Sequence, residues 1–200
     1  MIGKLPKSLE VDGVEYRIRP ECGKVLRVFE AFQDPALETA EKWVVAICLI
    51  FKDLKTYEDF IKAVENGFNL EEAQRQILWF ISAGHPEKEI LEMPVYDWKQ
   101  DEQMIFSAVN KVAGKEIRKK KKWKKMHWWT FLGYFNEIGE GTFSFVVGIR
   151  YKLNKGKKLE KHEKEFLAHN KELVRLERPK TKEEQEQEDD YKSLLDEVLG

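Results

Sequence analysis

Met126-His127-Trp128-Trp129-Thr130-Phe131-Leu132-Gly133-Tyr134-Phe135-Asn136-Glu137-Ile138 packs five aromatic residues and one histidine into little over three helical turns. Trp128, Phe131, Leu132, Phe135 and Ile138 recur at the i, i+3, i+4, i+7 spacing of a helix that buries one stripe. Large aromatics dominate the burial term of any core or interface they join, so this helix is either the centre of a small core or an anchor for a partner. A lysine-rich run precedes it and the turn Gly139-Glu140-Gly141 follows.

Downstream, Thr142 reads as the cap of a helix holding Phe143, Phe145, Val146, Val147, Ile149 and Tyr151, which Asn154-Lys155-Gly156 ends. A more polar helix is expected from Leu159 to Leu176, stopped at Arg178-Pro179. Glu183 to Asp190 has no apolar residue and reads as a solvated tail. Tyr191 to Leu199, with Leu194, Leu195 and Val198, has the pattern of a short amphipathic helix.

Upstream, Asp97 is the expected cap of a helix through Val112, with Met104, Ile105, Ala108, Val109 and Val112 as its stripe and Gly114 as its stop. His85-Pro86 through Met93-Pro94 lacks periodicity and reads as a seam. Before it, four helices follow in short order. Cys22 to Phe32 comes first, then Pro35 to Phe51 with proline at a first helical position. Thr56 and Asp59 outline a near capping box for a helix to Asn66, and Asn69 caps Leu70 to Ala83. Ahead of them, Leu9 to Arg19 alternates apolar and polar residues around Asp12-Gly13, the strongest short-range hairpin signal. The fold class is therefore mainly α, a helical bundle with a small N-terminal β-hairpin. Its divisions are 1–84 (hairpin plus bundle), 85–96 (linker), 97–177 (aromatic-rich helical region) and 178–200 (acidic tail).

The chain has 200 residues, of which 42% are hydrophobic and 36% charged, a globular composition with long solvated faces. Its formal charge of -1 conceals segregation, because residues 111–182 carry 21 basic against 8 acidic residues and 183–200 carry 1 against 8. Two cysteines, Cys22 and Cys48, fit a reducing intracellular setting. The N-terminus shows no secretory signal pattern. The longest apolar run, Trp43 to Phe51, falls far short of the ~20 residues of a membrane span.

Catalytic constellations leave little trace. No phosphate loop of the Gly-x-x-x-x-Gly-Lys-Ser/Thr type occurs, and Gly139-x-Gly141 follows a helix rather than a strand. His162, Glu165 and His169 share a helical face but lack the His-Glu-x-x-His spacing of a zinc site. Cys22 has no local group that would lower its pKa. The expectation is a protein without enzymatic activity, cofactor or metal. The sharpest remaining signal is Lys115 to Lys125, eight basic residues against Glu116, with Trp123 interleaved. Lys119, Lys121, Lys122 and Trp123 are its candidate contact residues, either for an acidic partner or, as the alternative, for nucleic-acid phosphates with Trp123 stacking a base. The acidic tail and the near-neutral total charge stand against the second.

The motifs Met126-His127-Trp128-Trp129-x-Phe131 and Phe143-Ser144-x-Val146-Val147-Gly148-Ile149-Arg150 resemble a family known as phage gene product fifteen, of tailed phages and prophages of Gram-positive bacteria. Asp97 to Ala108, the opening Leu5-Pro6 and the Tyr16-x-Ile18 ribbon add to the resemblance, which spans about residues 1 to 177. It departs from the family at Glu21-Cys22-Gly23-Lys24 and in the length of the basic run. The resemblance implies a tail assembly chaperone of long-tailed siphophages, which holds the tape measure protein soluble in the bacterial host cytoplasm while the tail tube forms. The tail tube protein and an upstream tail chaperone are implied as further partners, and an oligomer is compatible. An amphipathic tape-measure segment is then expected to dock near Trp128, Trp129, Phe131 and Phe135, with the basic run meeting its acidic residues.

Overall fold

The computed structural model describes residues 3–85, 95–119 and 124–177. The order is β1 (Ser8–Val11), β2 (Val14–Arg17), α1 (Cys22–Gln33), α2 (Thr39–Ile50), α3 (Tyr57–Glu65) and α4 (Leu70–Ile81). It continues with α5 (Glu102–Ala113), α6 (Trp128–Asn136), α7 (Thr142–Asn154), α8 (Lys161–His169) and α9 (Lys171–Val174). The mainly helical class with one N-terminal hairpin is as the sequence predicts.

β1 and β2 pair antiparallel from Ser8 opposite Arg17 to Val11 opposite Val14. Asp12 and Gly13 both have positive φ, 50° and 78°, as a two-residue turn matching the strand twist demands. A two-stranded ribbon alone is marginal, and this one gains its stability by burying Leu9 and Val11, with β1 lying on α4. Its outgoing end is tied to the end of α2, where the Arg19 amide donates to the Ile50 carbonyl (2.8 Å) and the Lys52 amide to Arg17 (2.8 Å).

Thr56 caps α3 as expected, in a reciprocal box with Asp59 whose two bonds are both 3.1 Å. The Thr56 hydroxyl holds the Asp59 carboxyl below the usual carboxylate range. Asn69 accepts from the Glu72 amide and so caps α4. Four boundaries differ from expectation. Pro35 lies in a turn, and α2 starts at Thr39 after the Glu41 carboxylate has accepted from the Glu38 amide. Asp97 caps a turn instead of α5: its carboxylate accepts from the amides of Lys99 and Gln100, and the helix waits until Glu102. Thr142 is the first helical residue of α7, where the Ser144 hydroxyl takes the Gly141 amide. The expected Leu159–Leu176 helix breaks at Asn170 into α8 and α9.

One buried cluster runs through both halves of the chain. Val25, Ile47, Ile50, Phe51, Ile77 and Phe80 from the first half join Ile105, Val109, Trp128, Phe131 and Phe143 from the second. Most of the linker assigned to 85–96 (residues 86–94) and the entire 178–200 tail, including the amphipathic stretch Tyr191 to Leu199, lie outside the described residues.

Candidate partner-binding groove

The aromatic segment first does a structural task. The Trp128 amide donates to the Pro20 carbonyl (2.7 Å), and the Cys22 amide to that of Met126 (2.8 Å). His127 is the N-cap of α6: its Nδ1 accepts from the Trp129 amide (3.1 Å), so Nε2 carries the proton and donates to the Pro6 carbonyl (2.8 Å). The two adjacent indoles then reach the far end of α4. Trp128 Nε1 donates to the Ile81 carbonyl and Trp129 Nε1 to that of Phe80, both at 2.8 Å. The last carbonyls of a helix lack an i+4 amide within it, so Trp128 satisfies the Ile81 carbonyl, and Trp129 adds a second donor to the Phe80 carbonyl, which also takes the Ala83 amide (3.3 Å).

Burial divides the four aromatic candidates. Trp128 and Phe131 are 1% and 0% exposed, stacked on one another at 5.6 Å in the core, and present no surface to a partner. Trp129 is half-buried, with its edge against the exposed Trp79. Phe135 is half-buried too and lines a surface hollow with Val95, Ile138, Phe143, Val147, Gly148 and Tyr151.

That hollow is one end of a larger groove. Between α5 and the α6–α7 turn, Met104, Ala108, Val112, Ile138 and Phe143 form an apolar trough rimmed by Gln103, Ser107, Lys111, Glu137, Glu140 and Thr142. Ile138 and Phe143 belong to both ends, so the apolar strip continues from α5 across the turn to α7. The Lys111 ammonium donates to the Glu140 carbonyl (3.0 Å) and fixes the turn against α5. Gly148 sits inside α7 on this strip, where glycine costs about 1 kcal/mol relative to alanine. No atom lies within 4 Å of where its Cβ would be, so the groove is open there. An amphipathic helix with anchors at i, i+3 and i+4 is the ligand such a trough accepts.

A buried ion pair ties the start of α5 to α7. Arg150 of α7 and Asp101 at the start of α5 are 3% and 1% exposed and meet fork to fork at 2.6 and 2.9 Å. The remaining guanidinium N–H groups donate to the carbonyls of Val174 (2.8 Å), Leu173 (2.8 Å) and Val95 (3.2 Å). All five donors are therefore used, which is what makes a buried arginine tolerable. Sequence reading gave these two residues no role. The available signal was an arginine in register with the apolar stripe Phe143, Val146, Ile149 of α7.

The basic run is less uniform than its composition. Ile117 is buried within it, and Arg118 turns back to Glu116 (3.1 Å) and lies over the Phe106 ring at 4.9 Å. Arg118 thereby holds the Glu116 carboxyl below its ordinary range. Lys119 is exposed, whereas Lys121, Lys122 and Trp123 lie outside the described residues. Among the described residues no group of three His, Cys, Asp or Glu side chains is placed to hold a metal ion, and no helix is long and apolar enough to cross a membrane. His162 stacks on Phe145 at 5.8 Å, and His169 Nδ1 lies 2.8 Å from the Glu165 carbonyl. Cys22 is fully buried, and burial pushes its thiol up to about 12. A thiol-disulfide reagent at neutral pH will accordingly leave Cys22 unmodified in the folded protein and react with it on denaturation. Measuring labelling site by site checks this, and fast native labelling of Cys22 would contradict its burial.

The profile of the family described as bacteriophage Gp15 protein matches residues 1–176. No curated protein and no solved structure matches.

Proposed function

The chain belongs to the bacteriophage Gp15 protein family, which points to a phage structural or assembly protein, and from that premise we propose that it is a tail assembly chaperone. In this reading it acts without catalysis in the bacterial host cytoplasm, binding the tape measure protein and keeping it soluble while tail tube subunits assemble. The tail tube protein and an upstream tail chaperone are its further partners. A tape measure protein is a very long helical chain whose apolar stripes aggregate unless covered, so its holder needs an apolar trough.

The observation that carries the reading is the continuous apolar strip from Met104 through Ile138 and Phe143 to Phe135 and Tyr151, with Gly148 left open along it. Phe135 stays in the binding surface expected from the sequence. Trp128 and Phe131 leave it because they are buried, and the strip moves toward α5 and α7.

Co-expression with the tape measure protein encoded nearby tests the proposal. The tape measure protein is expected to remain soluble and to co-purify through a high-salt wash, because apolar contacts outlast charge screening. Gly148→Leu fills the open trough while its backbone remains helical. It is expected to keep the thermal midpoint within a few degrees and to weaken retention about ten- to hundredfold, the equivalent of a 1–3 kcal/mol steric conflict. An insoluble tape measure protein, with salt-sensitive nucleic acid retained on this chain, would favour phosphate binding by the basic run instead.

A further inference from the structure

The apolar groove is not electrically neutral along its length. Glu137 and Glu140 stand on the rim that the α6–α7 turn contributes, with Gln103, Ser107 and Lys111 on the α5 side. Both glutamates are exposed, and among the described residues no ion pair engages either carboxylate. Lys111 is the one cation among the described residues lining this trough. Its ammonium points at the Glu140 backbone carbonyl (3.0 Å) rather than at either carboxylate. Glu137 also follows Asn136, the last residue of α6. The last carbonyls of a helix already carry partial negative charge, so this carboxylate adds to a patch that is negative without it.

The other end of the strip differs. Around Phe135, Val147, Gly148 and Tyr151 no described lining residue is charged, and the Lys157 ammonium lies over the Tyr151 ring at 5.0 Å. The strip therefore runs from an acidic rim at α5 to a neutral end edged by a cation. Of the basic run, no described residue lines either part. The surface is apolar where a bound helix would lay its stripe and negative where that helix would lay its flank. Exposed pairs of this kind contribute little affinity each, but they speed encounter with an oppositely charged segment and exclude one of like charge.

Resting on the chaperone reading of this groove, we infer that its client segment is a basic-flanked amphipathic helix. Its apolar anchors lie along Met104, Ala108, Ile138 and Phe143, and lysine or arginine beside them pairs with Glu137 and Glu140. A segment whose stripe is flanked by aspartate or glutamate is refused at the same surface.

Overlapping synthetic peptides covering the tape measure protein, applied to the full chain, test this. Peptides that the native protein retains and Gly148→Leu loses are the ligands of the groove. They are expected to carry lysine or arginine within one helical turn of the apolar stripe. At low salt their affinity is expected to fall about tenfold in the double variant Glu137→Lys with Glu140→Lys, a difference that closes at about 1 M salt. Glu137→Lys places a cation at the end of α6, where the helix dipole favours it, so the thermal midpoint is expected to hold and the lost affinity reports the rim. Groove-dependent peptides with acidic or uncharged flanks, or an affinity that the charge reversal leaves unchanged, would overturn the inference and leave the groove as the binding site. If no peptide distinguishes the native protein from Gly148→Leu, the groove reading falls and the inference falls with it.

Discussion

Asp101→Ala is expected to remove about 3–5 kcal/mol of stability, because it leaves the Arg150 guanidinium buried with no counter-charge. A domain of this size has roughly 5–15 kcal/mol in total, so the variant stands at the edge of unfolding at ambient temperature. Urea titration measures the loss. The double variant Asp101→Leu with Arg150→Met removes both charges and is expected to recover part of it. Recovery stays partial, since Arg150 also holds the carbonyls of Val95, Leu173 and Val174. A single-variant cost below about 1 kcal/mol, as for exposed pairs, would contradict the burial that the fold assigns to this pair.

Trp128→Ala is expected to cost about 3–5 kcal/mol by opening a cavity among Phe29, Trp98 and Phe131. It also strips the Ile81 carbonyl of its indole donor. Trp128→Phe separates most of the packing from the hydrogen bond: it keeps one ring in place, loses the indole donor and leaves only a smaller void, an expected cost of about 1–3 kcal/mol. Calorimetry of both variants checks the division, and equal costs would mean that packing contributes little. The consequence for partner studies is direct. A loss of client binding in Trp128→Ala reports unfolding, whereas the same loss in Gly148→Leu reports the groove.

These two variants also mark where sequence reading stops. The hairpin, the Thr56 and Asn69 caps and the apolar stripes rest on local chemistry, and each was legible from a few neighbouring residues. The start of α5 was not, because Asp97 and Asp101 are both good capping residues in sequence. Arg150, 49 residues away from Asp101, draws that carboxylate into the core and leaves Asp97 to cap the turn. The tryptophan pair was legible as aromatic and helical. Its role as donor to Phe80 and Ile81 depends on a contact spanning nearly fifty residues, which no periodicity reports. The groove was half legible: Phe135 was among its expected residues, while Met104, Val112, Ile138 and Phe143 read only as stripe positions of separate helices. Which of those positions close over a core and which stay open depends on how separate helices pack, α5 against α7 among them, and the Asp101–Arg150 pair that ties these two together spans 49 residues.

Hydrogen–deuterium exchange on the complex with the tape measure protein tests the central claim most directly. The groove reading predicts added protection in α5 and from Glu137 to Tyr151, with α1 to α4 unchanged. Protection confined to the basic segment 115–125, with α5 and the α6–α7 turn exchanging as in the free protein, would contradict it.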